Sequence, residues 1–226
     1  WMLSKEKSIT TVGIYLRPLR ALYNVAVSSG MVSIESYPFG KRKYEIPAGR
    51  NVKKALTLAD VGKIFKYKTV PMTTMDKAKD FWLFTYFCNG INMKDIALLK
   101  YKDIDGDFIA FIRSKTEHTT RRNLKTISIY LTEEAKAIIK KWGNKDSTAD
   151  NFIFPIVHKE MTIEAQYAAI QQFTKTVNKY MKEIASSLEL GKHVTTYTAR
   201  HTFSTVLKRS GASIEYISEA LGHSNK

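Results

Sequence analysis

Apolar positions recur at helical spacing along most of the chain and alternate in only one short region. The sequence therefore predicts a mostly helical α+β protein with a small antiparallel sheet. Near the start, Val12, Ile14, Leu16, Leu19, Leu22, Tyr23 and Val25 to Val27 follow Thr10 and Thr11 at mostly helical spacing, and Gly30 is a natural stop. One helix cannot bury such a face alone, so residues 1–46 are expected to be the C-terminal remnant of a helical domain that begins outside this sequence. Pro38, Gly40, Pro47 and Gly49 then punctuate a stretch that also holds Lys41, Arg42, Lys43 and Arg50. It reads as basic connecting chain, with the linker itself set at 47–56.

A larger unit, 57–226, opens at Thr57, an N-cap with Asp60 three residues on, and Val61, Ile64 and Phe65 give its first helix a core face. From Asp76 to Gly90 the chain is apolar nearly all round, with Phe81, Trp82, Leu83, Phe84, Tyr86 and Phe87, as expected of a helix at the centre of a core. Asn92 to Leu99 reads as a short helix. Asp105-Gly106 is a turn signal, while Phe108 to Ile112 and Lys125 to Leu131 read as strands joined by a long polar tip. Thr132 begins a helix that Gly143 ends. A long amphipathic helix is predicted from Ile163 to Leu188, and two final helices flank Gly211 and stop at Gly222.

Composition and charge narrow the functional classes. The chain of 226 residues is 44% hydrophobic and 25% charged, enough apolar material for a core and too much for disorder. Nothing in it has the roughly 18 uncharged apolar residues of a membrane span, and no apolar signal follows the N-terminus, so a cytoplasmic protein is expected. Cys88 is the single cysteine, which excludes an intrachain disulfide and a thiolate zinc cluster and reads as a buried free thiol. The 36 Lys and Arg against 21 Asp and Glu leave a net charge of +15, the footprint of a protein that sits on a polyanion.

If Tyr197 to Lys208 is a helix, Tyr197, Arg200, His201, Ser204 and Lys208 share one polar stripe, and Ala199, Phe203, Val206 and Leu207 share a packing stripe. On spacing alone that polar stripe is a solvated face. The run Thr198-Ala199-Arg200-His201-Thr202-Phe203-Ser204-Thr205, followed by a Gly-Ala-Ser-Ile turn and Leu221-Gly222-His223-Ser224, resembles the second-arginine and histidine boxes of the tyrosine recombinase (phage integrase) family, particularly integrases of mobile genetic elements. Asn89 to Ile96 resembles that family's first-arginine box, and Arg113-Ser114-Lys115-Thr116 resembles the hairpin that carries its lysine.

The resemblance implies site-specific recombination of double-stranded DNA. A tyrosine oxygen attacks a phosphodiester, leaving a phosphotyrosyl link and a free 5′-hydroxyl, with no ATP, metal, cofactor or small-molecule substrate. Charge developing on the non-bridging oxygens calls for planar guanidinium donors. By carry-over Lys115 protonates the leaving oxygen, Arg200 clamps the phosphate and His223 supports it. Lys41, Arg42, Lys43, Arg50, Arg113, Arg121, Arg122 and Lys125 are candidate DNA contacts, and a tetramer on two synapsed sites is implied for the intact protein.

Three departures stand out. Asn92 occupies the place of the first arginine, and an amide brings no charge; Lys94 or another nearby base is the expected compensation. Tyr197 occupies the place of the histidine that opens the second box, where a hydrogen-bonding role and a packing role are both open. The nucleophilic tyrosine should follow the histidine box, but the sequence stops at Lys226, and Tyr216 reads as core. The expectation is a chain truncated before its nucleophile that binds DNA without cleaving it. The rivals are a non-catalytic sequence-specific DNA-binding protein, a helical RNA-binding protein and, least favoured, a hydrolytic nuclease.

Overall fold

The computed structural model describes residues 2, 4–47, 55–114 and 126–222, which fall into two compact units, 1–53 and 54–226. The N-terminal unit is built on one helix, α1 (Ile9–Ser28), which starts slightly earlier than Thr10 and Thr11 suggest because the Ser8 hydroxyl accepts from the Thr11 N–H. Only Val12 and Gly13 of α1 are buried, while Ile14, Leu19, Leu22 and Val25 are exposed. Pro18 sits inside the helix, where it can donate no backbone bond.

The stretch read as basic connecting chain is partly folded. Phe39 is buried and meets Tyr23, Tyr37 and Tyr44 edge to face, and a bridge pairs Phe39 with Tyr44. Lys43 joins this fold while remaining exposed, its Nζ donating to the Tyr37 carbonyl at 2.6 Å. Aromatic packing overrides the turn-rich composition here.

The C-terminal unit contains α2 (Leu58–Lys66), α3 (Thr74–Phe87), α4 (Met93–Leu98), β1 (Ile104–Asp105), β2 (Phe108–Ile112), β3 (Thr126–Tyr130), α5 (Glu133–Trp142), α6 (Ile163–Ser187), α7 (Thr196–Arg209) and α8 (Ile214–Ala220). Threonine starts its helices repeatedly. Thr57, Thr73, Thr132, Thr162 and Thr195 each accept a backbone N–H three residues on, and Thr57 and Asp60 complete the expected capping box. The antiparallel sheet has the order β1-β2-β3, with Ile109 opposite Ile129 and Ile112 opposite Thr126. Strand β1, only two residues long, carries too little pattern to be read from sequence.

Helix α3 is the centre of the core, as its all-round apolar character predicts. Phe81, Trp82 and Phe84 are fully buried, and α5, α6 and α7 pack around α3. Cys88 is buried as a free thiol at its end, and burial pushes the thiol well above its usual range. Leu56, which the sequence places in the linker, is buried and its N–H donates to Thr202 Oγ1 at 3.0 Å. Two residues depart from their expected core places: Phe65 is 48% exposed and lies edge to face on Phe87, and Tyr216 is 58% exposed on the short α8. Gly143 ends α5 with an ordinary φ of −70°; what demands glycine is the Ile139 carbonyl, 2.5 Å from where a Cβ would stand.

A polar knot ties α3 to α5. Lys141 Nζ meets Asp76 and Asp80 at 2.7 Å each, and Trp142 Nε1 donates to Asp80 at 2.8 Å. Burial pushes the Asp76 carboxyl up, but bonds from Lys141, Thr69 and the Met72 N–H, with the Lys141 charge, outweigh it and the net shift is downward. A carboxyl that titrates below its ordinary value of 3.8 stabilises the fold fully above that pH and loses the contribution as pH falls through the lower folded value. Lys141→Met is expected to cost about 2 kcal/mol, less than for a fully buried pair because the ammonium is partly exposed. Asp76→Asn should flatten the acid limb of the unfolding midpoint below pH 4. Both are checked by thermal unfolding across pH, and an acid limb unchanged in Asp76→Asn would contradict this assignment.

Candidate active site

The helix that carries the central arginine is fixed from three sides. Trp82 Nε1 of α3 donates to the Thr195 carbonyl at 2.9 Å, and Asn178 Oδ1 of α6 accepts from the Thr196 N–H at 2.8 Å. Thr202 is held by the Leu56 bond already described and donates to the Thr198 carbonyl at 2.8 Å. Thr198, Ala199 and Thr202 are completely buried, so small side chains let α7 approach its neighbours closely.

Arg200 is therefore not on a solvated stripe. It is only 9% exposed, and two backbone carbonyls from segments distant in sequence hold its guanidinium. Nη1 donates to Gly90 O at 2.7 Å and Nη2 donates to Leu221 O at 2.6 Å. These bonds use two of its five N–H groups and fix the plane of the group. Gly90 makes the first of them possible: its φ is +67°, and a Cβ there would stand 2.8 Å from Arg200 Cα. Burial pushes the Arg200 pKa down to about 10; the Arg113 charge adds to this, and Asp95 and Tyr197 oppose it. The group remains cationic at neutral pH.

Asp95, a buried carboxylate in the first turn of α4, joins the first-arginine-like box to the β2–β3 hairpin. Its Oδ1 accepts from the Ser114 N–H at 3.0 Å and from Ser114 Oγ at 2.6 Å, and its Oδ2 accepts from Asn92 Nδ2 at 3.3 Å. Asn92 is the N-cap residue of α4 by position, with its side chain turned to Asp95 rather than to the helix N–H groups. Sequence reasoning gave Asp95 no role, although a carboxylate between the apolar Met93 and Ile96 was the available signal.

An open cavity of about 490 Å³ lies over these groups, lined by Asn92, Lys94, Asp95, Arg113, Ser114, Tyr197 and Arg200. Three cationic side chains face it against one carboxylate, and that carboxylate accepts from Ser114 and Asn92. Such a hollow favours an anion with oxygens able to accept from guanidinium groups. Tyr197 is half-exposed at its edge and meets His201 edge to face at 4.3 Å. Among the described residues no three His, Cys, Asp or Glu side chains gather as a metal site.

Of the residues singled out from sequence, Asn92, Arg113, Tyr197 and Arg200 are brought to one cavity. Lys115, Arg121, Arg122, Lys125, His223 and Arg50 lie outside the described residues. Lys41, Arg42 and Lys43 belong to the N-terminal unit and are exposed, with Arg42 in the left-handed region at φ +69°. No described helix is long and apolar enough to cross a membrane.

Comparison with known proteins gives concordant matches. The model of the phage integrase family matches residues 56–226. A tyrosine recombinase XerC from Thermodesulfovibrio yellowstonii is 26% identical over 227 residues, covering 98% of this chain and 70% of that protein. A tyrosine recombinase XerD from Listeria innocua serovar 6a is 25% identical over 228 residues, covering 97% and 69%. Among solved structures, the Tn1549 transposon integrase in complex with transposon right end DNA shares the fold with a TM-score of 0.67 at 19% identity, over 99% of this chain and 74% of that one. XerH site-specific recombinase bound to palindromic difH substrate shares it with a TM-score of 0.52 at 15% identity, over 84% and 51%.

Proposed function

The chain belongs to the phage integrase family and is a site-specific recombinase of the tyrosine type, and on that premise we propose that double-stranded DNA is its partner and that the cavity over Arg200 receives the scissile phosphate. The observation that carries this reading is the anchoring of Arg200 by the Gly90 and Leu221 carbonyls at the floor of a cationic hollow. Two solved relatives are described as complexes with DNA or a difH substrate, which supports the choice of partner.

The reaction follows from charge and proton bookkeeping. A tyrosine oxygen attacks phosphorus, the bond to the 5′ oxygen breaks, and the phenolic proton passes to water as the phosphotyrosyl link forms. The departing 5′ oxygen takes a proton from Lys115, and the negative charge that grows on the non-bridging oxygens is met by Arg200, with a supporting hydrogen bond assigned to His223. Ser114, adjoining Lys115 in sequence, is tied to Asp95, and the Leu221 carbonyl, two residues before His223, is tied to Arg200. The reverse attack by a second strand's hydroxyl rejoins DNA without an external energy source, because the phosphotyrosyl bond conserves that of the phosphodiester. The basic N-terminal unit is read as part of a DNA-clamping domain, with Lys41 and Arg42 among its phosphate contacts, and four protomers as the synaptic assembly.

The test is a duplex with a nick beside the scissile phosphate, so that the freed 5′ fragment diffuses away and the cleaved state accumulates. With the full-length protein and EDTA present, a denaturation-resistant protein–DNA adduct is expected. Tight binding with no adduct would instead support a non-catalytic DNA-binding protein, and divalent-dependent cleavage with no adduct a hydrolytic nuclease.

A further inference from the structure

The neutral Asn92 leaves the hollow short of one of the two guanidinium clamps that phosphoryl transfer of this kind calls for, and a second arginine stands close by. Arg113 follows β2 directly, and the two-residue period of the strand sends it to the same side as Ile109 and Phe111, toward the core face of the sheet. Its Nη1 donates to Gly222 O at 3.4 Å, while Arg200 Nη2 donates to the preceding carbonyl, Leu221 O. The two arginines thus reach consecutive carbonyls. They line the same cavity, together with Asn92. The Arg113 charge is felt at Arg200, whose proton affinity it lowers. Holding two like charges together in a half-buried place is unfavourable unless an anion joins them. Asp95 is the one carboxylate among the described lining residues, and it already accepts two bonds from Ser114.

We propose that Arg113 is a catalytic residue: it supplies from the end of β2 the second guanidinium clamp on the scissile phosphate that position 92 does not provide. This rests on the reading of the cavity as the phosphate site, and goes beyond it by assigning the missing charge to a different structural element. Lys94 also lines the cavity, but it is an exposed point charge on the first turn of α4 and lacks the planar donor pair that spans two phosphate oxygens.

The experiment measures single-turnover cleavage of nicked duplex at saturating full-length protein, for wild type, Arg113→Ala, Arg113→Lys and Arg200→Ala. Each is assayed on an ordinary phosphodiester and on a substrate whose scissile link is a methylphosphonate. Arg113→Ala is expected to cleave the phosphodiester about 10²-fold more slowly than wild type. Arg113→Lys should fall between the two. On the methylphosphonate, which lacks the oxygen charge to be neutralised, the gap between Arg113→Ala and wild type should shrink to under about tenfold. Asn92→Arg added to Arg113→Ala should recover part of the lost rate.

A deficit that disappears at saturating protein, or that is the same size on both substrates, would make Arg113 a DNA-positioning or structural residue and overturn the proposal. Should Arg113→Ala unfold early, the same comparison is read from Arg113→Lys. A normal rate in Arg200→Ala would overturn the phosphate-site reading itself, whereas loss in Arg200→Ala with indifference in both Arg113 variants would overturn only the Arg113 assignment.

Discussion

Arg200→Ala should reduce formation of the covalent protein–DNA adduct by at least about 10³-fold, the upper range for loss of one charge-stabilising donor group from a transition state. The size of the expected loss follows from two features that act together. The guanidinium is planar and permanently charged, and its orientation is imposed by Gly90 O and Leu221 O rather than by solvent-exposed rotamers. Arg200→Lys restores a positive charge but cannot reach both carbonyls and the phosphate at once, so it should recover little of the rate. Removing the side chain also leaves two buried acceptors without these donors, at about 1–3 kcal/mol each before relaxation or water entry. Lowered thermal stability is therefore expected alongside the lost activity, and single-turnover rates measured well below the unfolding midpoint separate the two. Adduct formation within tenfold of wild type would show that Arg200 is structural.

Gly90→Ala is the second large effect, and it acts through backbone geometry. A residue with φ +67° strains any side chain, and here the added Cβ would also meet Arg200 Cα at 2.8 Å and Cγ at 2.9 Å. The expected destabilisation is about 2–4 kcal/mol. Since Gly90 O is itself an anchor of Arg200, a relief movement of about 1 Å displaces the clamp and costs a further rate factor of about 10². Gly106→Ala provides the comparison. Its φ of +56° is similar but nothing lies within 4 Å of the added carbon, so only the conformational strain of about 1 kcal/mol should appear and the cleavage rate should stay near wild type. Equal destabilisation in the two variants would refute the close approach at Gly90.

What the sequence made legible was local. Thr57 and Thr132 as helix starts, the strand-like run Phe108 to Ile112 and the all-round apolar α3 depend on neighbours a few residues away, and each appears in the structure where its pattern put it. What stayed hidden depends on distant partners. Periodicity put Arg200 on a polar stripe; its burial is set by carbonyls 110 and 21 residues away in sequence, which no spacing rule can reveal. The Asp76, Asp80 and Lys141 knot is hidden for the same reason. Phe65 and Tyr216 misled in the opposite direction, because a short helix offers one face to the core and an apolar side chain just off that face remains exposed. The site was legible only as ordered boxes resembling a family. Those boxes named Arg200 and Asn92, gave Asp95 no role, and placed Arg113 among general DNA contacts.

The role of the cavity over Arg200 is measured most directly by the position of the scissile phosphate in a complex of the full-length protein with its duplex. Its non-bridging oxygens are expected in the cavity lined by Asn92, Tyr197 and the two arginines, about 3 Å from guanidinium nitrogens of Arg200 and Arg113. A duplex crossing another face, with no phosphate in that cavity, would contradict it.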